Sequence, residues 1–191
     1  MMKKSLFSSL VLALAVVATP VAAEDYVIDT KGAHASVQFK IKHLGYSWLY
    51  GRFNTFVGEF SYDEKQPNSA KISVTIDTAS LDSNHAERDK HLRGSDFFDV
   101  KKYPRAKFVS TSYKEMGEKG ELKGILTLRG VTKPVTIAVN QIGAGDDPWG
   151  GFRRGFAGST TITLADFGFT YNLGPASREA EIMLSIEGIR K

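Results

Sequence analysis

The chain has 191 residues, no cysteine and a small excess of basic over acidic residues, 25 against 21. The lack of cysteine excludes disulfides, thiol catalysis and thiolate metal ligation, and the charge excess is too small to indicate nucleic-acid binding. The length fits one domain with a sizeable core.

The N-terminus has the pattern of a secretory signal peptide. A basic start and an apolar run over 6–17 precede small residues, with the expected cleavage between Ala23 and Glu24. The apolar run is shorter than the about 20 residues that a membrane-spanning helix needs. The sequence therefore predicts a signal peptide over 1–23 and an exported mature domain over 24–191.

Alternation of apolar and polar residues predicts eight strands. The first covers 33–42. In the second, over 50–63, Phe53 is out of phase with the later aromatic residues, which predicts a bulge over 52–54. The connections between the later strands resemble hairpins, which favours antiparallel pairing. These later strands are predicted at about 72–76, 106–116, 120–129, 132–142, 153–164 and 179–190.

The predicted strands favour a closed barrel. Gly58, Gly124 and Gly158 stand on the phase of the large apolar residues, where glycine permits strong curvature or the close approach of a ligand. Little helix is left to cover an open sheet, and closure removes exposed edges. The sequence therefore predicts an all-β fold, an eight-stranded antiparallel barrel with a short helical cap at about 84–99. A two-sheet sandwich is the alternative.

The stretch 85–104 interrupts the strands with a predicted short helix. Asn84 and Glu87 have the spacing of a capping box and Gly94 fits a C-terminal stop, so the helix is predicted over 85–93. Its two histidines are six residues apart, which separates them by about 120° around the axis and argues against a metal site. We interpret the stretch as a cap on one barrel end, with core completion as the alternative. The side chains expected to face the barrel are Ala86, Leu92, Phe97, Phe98, Val100 and Tyr103.

The rest of the sequence indicates no catalytic or metal site. The sequence has no nucleophile elbow, glycine-rich phosphate loop or H-E-x-x-H motif. The segment 146–151 contains two acids, but calcium needs six to eight oxygens, so a turn is predicted there. Tyr46, Trp48 and Tyr50 form an aromatic cluster between the first two strands. We interpret this cluster as a hydrophobic cap beneath a loop, with the tunnel edge or a membrane surface as alternatives.

Several long segments resemble the YceI-like family of periplasmic proteins, and the likeness covers essentially the whole mature chain. The segments are FKIKHLGYSWLYGRF (39–53), NHAERDKHLRGSDFFDVKKYP (84–104), GVTKPV (130–135), GDDPWGG (145–151) and LGPAS (173–177). The resemblance implies a lipocalin-like antiparallel barrel in the periplasm, whose apolar tunnel holds a long isoprenoid or similar lipid. It also implies no established catalytic activity and no cofactor other than the bound lipid.

The lipid tail is expected to lie along the inward phases of the strands, although each of these residues could equally be ordinary core. The predicted tail contacts are Val37, Phe39, Ile41, Phe56, Phe60, Ile72, Val74, Ile76, Phe108, Leu126, Leu128, Val135, Ile137, Phe156, Ile162, Ile182 and Leu184. A polar head group is expected at the mouth of the tunnel. The predicted contacts there are His43, Arg88, Asp89 and His91, with Leu92, Phe97 and Phe98 of the cap.

Three functional hypotheses follow. The first is a periplasmic binding protein that carries, stores or protects an isoprenoid. The second is a lipid-modifying enzyme that uses His43, His91 or Asp89 as acid or base. The third is a ligand-free, stress-related structural protein, which a solidly packed interior would favour. The expected partner is an isoprenoid or other long-chain lipid, without nucleic acid or a bound metal, and transient membrane contact and a homodimer stay open.

Overall fold

A computed structural model describes residues 23–191. The predicted signal peptide lies outside these residues except for Ala23. The described chain consists of eleven strands, one α-helix and four short 3₁₀ turns. The elements are β1 (Glu24–Ile28), β2 (Ser36–His43), β3 (Ser47–Phe53), β4 (Phe56–Tyr62), β5 (Lys71–Asp77), β6 (Leu81–Asp82), α1 (Ala86–Leu92), β7 (Arg105–Met116), β8 (Lys119–Leu128), β9 (Val131–Asp146), β10 (Phe152–Thr163) and β11 (Glu179–Arg190).

Eight of these strands close into an antiparallel barrel in the order β1-β4-β5-β7-β8-β9-β10-β11, and β11 pairs back with β1. The C-terminal end of β11 pairs with β1, whereas its N-terminal half pairs with β2. The sheet continues from β2 to β3 and β6 at that end. The predicted all-β, eight-stranded antiparallel barrel with a short helical cap is thereby confirmed.

Two strand predictions are wrong in detail. The sequence pattern misses β1, in which only Tyr26 and Ile28 are buried, and the two-residue β6, because runs so short are hard to distinguish from loops by periodicity. The predicted second strand is two strands: β3 ends at Phe53 and β4 begins at Phe56. The phase slip at Phe53 therefore comes from a break between strands and not from a bulge.

Glycines allow aromatic rings to lie across neighbouring strands. A Cβ atom on Gly124 would lie 2.3 Å from Cζ of Phe108, and one on Gly188 would lie 2.3 Å from Cε1 of Phe60. In both places the ring occupies the space of the missing side chain. The close approach that was predicted for Gly124 is thus made by a side chain of the barrel itself.

Helix α1 begins one residue later than the capping box predicts. Its N-cap is His85, whose Nδ1 accepts a hydrogen bond of 3.2 Å from the backbone N–H of Arg88. Asn84 has a φ of 62°, and its N–H donates to Oδ1 of Asp82. The capping box of Asn84 and Glu87 is therefore wrong, although the short helix is confirmed. No helix in residues 23–191 is long and apolar enough to cross a membrane.

Candidate functional site

The barrel encloses a cavity of about 720 Å³. This volume lies within the roughly 300–1,000 Å³ that is usual for small-molecule sites. The wall is formed mainly by apolar side chains of β2, β3, β5 and β7 to β11. Most of the predicted contacts lie on it: Val37, Phe39, Ile41, His43, Ile72, Val74, Ile76, Arg88, His91, Leu92, Phe97, Phe98, Phe108, Leu126, Leu128, Val135, Ile137, Ile162, Ile182 and Leu184. Their contact with a lipid stays a prediction.

Four predicted contacts lie elsewhere. Phe56 is buried in the core beside the cavity. Phe60 and Phe156 border a second cavity of about 80 Å³. Asp89 is buried, and its carboxylate accepts hydrogen bonds from the backbone N–H of Ser83, at 2.8 Å, and from the Ser83 hydroxyl. Periodicity identifies the inward face of a strand but not the depth of a residue along the barrel, which explains Phe60 and Phe156.

Tyr26, Phe60 and Phe156, which we call the aromatic floor, pack on one another outside the wall of the large cavity. The rings of Phe60 and Phe156 meet edge to face with centroids 5.7 Å apart, and Tyr26 stacks on Phe60 at 4.7 Å. Ile137 and Leu184 belong to the walls of both cavities. The small cavity therefore adjoins the large one beside this floor.

A buried arginine lies at the far end of the barrel. The guanidinium carbon of Arg154 is 4.4 Å from the ring centroid of Tyr62, and its Nη2 donates to Oε1 of Glu64. The cation–π contact and the ion pair compensate the desolvation of this charge. These contacts close the barrel on the side away from α1.

The cavity reaches the surface at the other end, which we call the mouth. The exposed residues of the wall there include Lys42 and His43 at the end of β2, Leu44 of the following turn, His91 of α1, and Tyr171 and Asn172 of the segment after β10. This end carries both α1 and the hairpin of β2 and β3. The predicted helical cap therefore lies at the mouth.

Aromatic rings pack over the mouth. His91 meets Phe97 and Tyr171 edge to face, at centroid distances of 5.0 and 5.4 Å, and Phe97 lies 4.9 Å from Tyr171. Phe98 packs edge to face on Phe169 at 5.3 Å. These rings narrow the entrance without filling the cavity behind it.

The cap contributes fewer inward side chains than predicted. Leu92, Phe97 and Phe98 line the cavity, whereas Ala86 is exposed and Val100 and Tyr103 lie outside the wall. Tyr103 packs instead over Gly130, where a Cβ atom would lie 2.6 Å from its Cε1. The helix is seven residues long and offers one narrow face, so Ala86 at its start turns to solvent.

Among the described residues, the Lys, Arg and His side chains of the cavity wall have no acidic counterpart in it. Lys42, His43, Arg88 and His91 line it, and no Asp or Glu of residues 23–191 does so. The Arg88 side chain is half-buried, its Nε donates to the hydroxyl of Ser83 at 2.8 Å, and its Nη2 donates to the Ser83 carbonyl. Arg88 takes part in none of the ion pairs found in residues 23–191. The mouth is therefore suited to a polar or anionic group.

The acid–base set of the enzyme hypothesis is not assembled in the cavity. Asp89 is held by Ser83 behind the wall. His91 does line the cavity, but its Nε2 lies 3.1 Å from Oδ2 of the exposed Asp96. His43 lines the mouth from the opposite element, the end of β2.

Sequence reasoning missed the wall residues that follow β10. Phe169, Tyr171 and Leu173 line the mouth, and they alternate with glycine and polar residues. That alternation could have predicted which side chains of this segment face the cavity. It was missed because a 3₁₀ turn (Leu164–Phe167) and an irregular segment, rather than a strand, carry it.

The aromatic cluster of Tyr46, Trp48 and Tyr50 is exposed. All three side chains lie outside the cavity wall, whereas Leu49 between them faces the cavity. The interpretation as a hydrophobic cap beneath a long loop is therefore wrong. The reason is that β2 and β3 form a tight hairpin, with the N–H of Tyr46 donating to the carbonyl of His43 at 3.0 Å, so no loop covers these rings.

The predicted turn over 146–151 is present. Oδ1 of Asp147 accepts hydrogen bonds from the backbone N–H groups of Trp149 and Gly151, at 3.0 and 2.7 Å. Its Oδ2 accepts from Nε of Arg153 at 2.8 Å. The hydrogen bonds from Gly151 and Arg153 lower the pKa of Asp147. Both carboxylate oxygens of Asp147 thus accept hydrogen bonds from residues in and next to the turn.

One cluster of metal-ligand side chains occurs in residues 23–191, at the end opposite the mouth. It consists of Asp29, His34 and Glu187. Nη1 of Arg153 lies 2.8 Å from Oδ2 of Asp29 and 2.5 Å from Oε1 of Glu187, so a guanidinium already occupies the space between the two acids. The hydrogen bond from His34, with further bonds from Arg153, lowers the pKa of Asp29 to about 2. We interpret the cluster as a salt-bridge network.

The sequence and fold match known proteins. A model of the YceI-like domain matches residues 26–188. A UPF0312 protein of Pseudomonas aeruginosa is 56% identical over 191 residues, which cover 100% of both chains. The crystal structure of a Campylobacter jejuni YceI protein has a TM-score of 0.71 at 30% identity, covering 80% of this chain and 91% of that chain.

A more distant structure shares the fold. A protein from Saccharophagus degradans, described as a polyisoprenoid binding domain implicated in plant cell wall breakdown, has a TM-score of 0.63. It is 15% identical and covers 87% of this chain and 98% of that chain. At this identity the likeness concerns the fold alone.

Proposed function

The chain belongs to the YceI-like domain family, and on that basis we propose that it binds a long isoprenoid or a similar amphiphilic lipid in the barrel cavity. The proposed site of action is the periplasm, where the protein carries, stores or protects the lipid. The observation that carries this proposal is an apolar cavity of about 720 Å³ with basic groups at one open end. The description of the Saccharophagus degradans domain as polyisoprenoid binding supports the choice of ligand.

Burial of the tail supplies the affinity in this proposal. Each buried CH₂ group contributes about 0.8 kcal/mol, so ten buried carbons contribute about 8 kcal/mol before the ordering costs of association. The wall is predominantly apolar, so little of it opposes this burial. A solidly packed interior would favour a ligand-free structural protein, and the cavity of about 720 Å³ is not such an interior.

The direction of the lipid follows from the two ends of the barrel. The aromatic floor lies beyond the large cavity on one side, and Lys42, His43, Arg88 and His91 line the other. A charged or polar head group is poorly soluble among the apolar side chains of the interior. The tail therefore enters first, and the head group stays at the mouth.

The direct test is native mass spectrometry of the protein purified from its own periplasm without detergent, followed by organic extraction. We expect one isoprenoid or related lipid for each chain. A protein that is empty, and that also fails to take up added polyprenyl lipids, would refute the proposed function.

A pair of variants shows whether the cavity holds the lipid. Phe39 lines the cavity, whereas Val57 is exposed on the outside of the barrel. We expect Phe39→Asp to lose the lipid and Val57→Asp to keep it, with circular dichroism to confirm that both variants are folded. Retention of the lipid by a folded Phe39→Asp protein would place the binding site elsewhere.

The same extraction distinguishes binding from catalysis. A binding protein returns the added lipid chemically unchanged. An enzyme would convert it, and a His91→Ala variant would then keep the lipid but lose the conversion.

A further inference from the structure

The outward face of the hairpin of β2 and β3 is rich in exposed aromatic side chains. Tyr46, Trp48 and Tyr50 are 88%, 48% and 56% exposed. Strand pairing places Tyr50 beside Lys40 and Trp48 beside Lys42, so aromatic and basic side chains share one face. No described residue covers this face, although residues beside it line the mouth of the cavity.

The hairpin is also positively charged. Residues 30–58 contain no Asp or Glu. The ammonium groups of Lys40 and Lys42 lie 5.0 and 5.6 Å from the ring centroid of Trp48. Lys40 is paired with Glu181, and Lys42 takes part in none of the salt bridges of residues 23–191. The face therefore keeps positive charge next to its exposed rings.

The tip of the hairpin joins this face to the cavity. Lys42 of this face and Leu44 of the turn are both exposed, and both also line the mouth. The hydroxyl of Ser177 donates to the carbonyl of Lys42 at 2.5 Å, which fixes the end of the hairpin against the segment after β10. A surface that contacts the hairpin tip therefore lies at the entrance of the cavity.

We propose that the hairpin docks the mouth of the barrel on the surface of a bilayer that contains anionic phospholipid. The docking face consists of Lys40, Lys42, Leu44, Tyr46, Trp48 and Tyr50. Tyrosine and tryptophan settle at the head-group level of a bilayer, and nearby lysines are attracted to lipid phosphates. The inference extends the proposed function, because a mouth held at the bilayer lets a lipid tail pass into the cavity without crossing water.

Charge favours a bilayer over a second copy of the chain as the occupant of this face. A symmetric dimer would bring the same patch of both copies together. The lysines of the two hairpins would then face each other, and juxtaposed like charges oppose association. An anionic lipid surface complements the same lysines.

The two tryptophans of the sequence provide matched reporters. Trp48 lies on the docking face. Trp149 is 77% exposed in the turn between β9 and β10, at the opposite end of the barrel from the mouth. A Trp149→Phe protein reports on the docking face alone, and a Trp48→Phe protein reports on the opposite end.

The experiment adds vesicles to both reporters and records the tryptophan emission. The exported protein is used, with its first residue read by mass spectrometry so that no leader contributes to binding. With vesicles of equal parts phosphatidylcholine and phosphatidylglycerol, we expect a blue shift for Trp48 and none for Trp149. Omission of phosphatidylglycerol should weaken docking about tenfold, because the attraction of lysines to the surface is electrostatic.

Two results would overturn the docking inference. The first is an unchanged Trp48 emission with anionic vesicles, or equal shifts of both tryptophans. The second is a blue shift of Trp48 that grows with protein concentration without vesicles, which would identify a second copy as the occupant.

A variant separates docking from lipid binding. Tyr46 and Trp48 lie outside the cavity wall, so the double variant Tyr46→Ser, Trp48→Ser should lower flotation with anionic vesicles about tenfold or more. It should still bind polyprenyl lipid that is added from detergent, because that route needs no bilayer. Unchanged flotation of this folded variant would contradict the inference while leaving the proposed function intact. A wild-type protein that docks on vesicles but holds no lipid would contradict the proposed function and leave the docking inference intact.

Discussion

Arg88 carries much of the polar character of the cavity mouth. Its guanidinium is oriented by Ser83, and Ser83 in turn is held by the buried carboxylate of Asp89. This chain of hydrogen bonds fixes the arginine but leaves its charge without an ion pair among residues 23–191. A half-buried cation gains stability from an anionic partner, so the head group of a bound lipid is the natural candidate for that partner.

We expect Arg88→Ala to weaken the binding of a phosphorylated isoprenoid about tenfold or more, because a hydrogen bond to a charged group contributes about 1.5–3 kcal/mol. The uncharged prenyl alcohol of the same length is the matched control, and its affinity should change little. Isothermal titration calorimetry measures both. An equal loss for the two lipids would show that Arg88 maintains the shape of the mouth and does not contact the head group.

Asp29 predicts a pH dependence of stability. The hydrogen bonds from His34 and Arg153 lower its pKa to about 2 in the folded protein, below the value of about 3.9 in an unfolded chain. The ionised carboxylate therefore stabilises the fold above about pH 4, and this contribution is lost as the pH falls through about 2. We expect the free energy of unfolding of the wild type to exceed that of Asp29→Asn by about 1–2 kcal/mol near neutral pH, with a smaller difference near pH 2.

Urea titrations at both pH values measure this difference. The comparison with Asp29→Asn cancels the titration of the other acids, which both proteins share. A difference that stays constant between neutral and acid pH would show that Asp29 acts through packing and not through its charge.

At the level of secondary-structure elements, the pairing of β7 and β8 depends on Gly124. A Cβ atom there would lie 2.3 Å from Cζ of Phe108 and 2.6 Å from the carbonyl oxygen of Val109. We expect Gly124→Ala to destabilise the fold by about 1–3 kcal/mol, the usual cost of overpacking. Phe108 lines the cavity, so its displacement should also lower lipid uptake. Chemical denaturation and extraction of bound lipid measure the two effects.

Gly143 provides the control for this substitution. It lies in β9, where a Cβ atom would meet no other atom within 4 Å. Gly143→Ala should therefore leave both stability and lipid uptake close to the wild type. Equal destabilisation by the two substitutions would mean that loss of glycine flexibility, and not the contact with Phe108, is responsible.

Most of the cavity wall could be predicted from the sequence because the strands that form it are long enough to show a clear alternation. In β2, Val37, Phe39 and Ile41 alternate with polar residues, and all three line the cavity. Periodicity cannot recognise β1, because five residues carry too little pattern, and it cannot show that Phe53 and Phe56 pair with different strands. These features depend on pairing between distant parts of the chain, as does the depth of each residue in the barrel.

At the level of the whole molecule, the two ends of the barrel have different chemistry. The mouth combines exposed rings with basic groups that include Arg88, whereas Arg154 at the far end is buried and paired with Glu64. The aromatic floor lies between them. The proposed ligand therefore enters at the mouth, and the distance from the mouth to the floor limits the length of tail that the barrel can bury.

Phe156 is the residue that tests this limit. Its ring contacts Phe60 and borders the small cavity of about 80 Å³ next to the large one of about 720 Å³. We expect Phe156→Ala to join the two cavities and shift binding towards longer isoprenoids. Loss of the ring should also cost about 2–4 kcal/mol of stability, as for other large-to-small core substitutions.

Competition among polyprenyl alcohols of graded length, read by native mass spectrometry, measures the length preference. Phe98→Ala is the control, because it removes an identical ring from the mouth and leaves the floor intact. It should lower the affinity for every length without favouring the longer ones. If Phe156→Ala and the wild type select the same lengths, the floor does not end the tail site. The small cavity would then be a packing defect, and the limit on tail length would lie at the mouth.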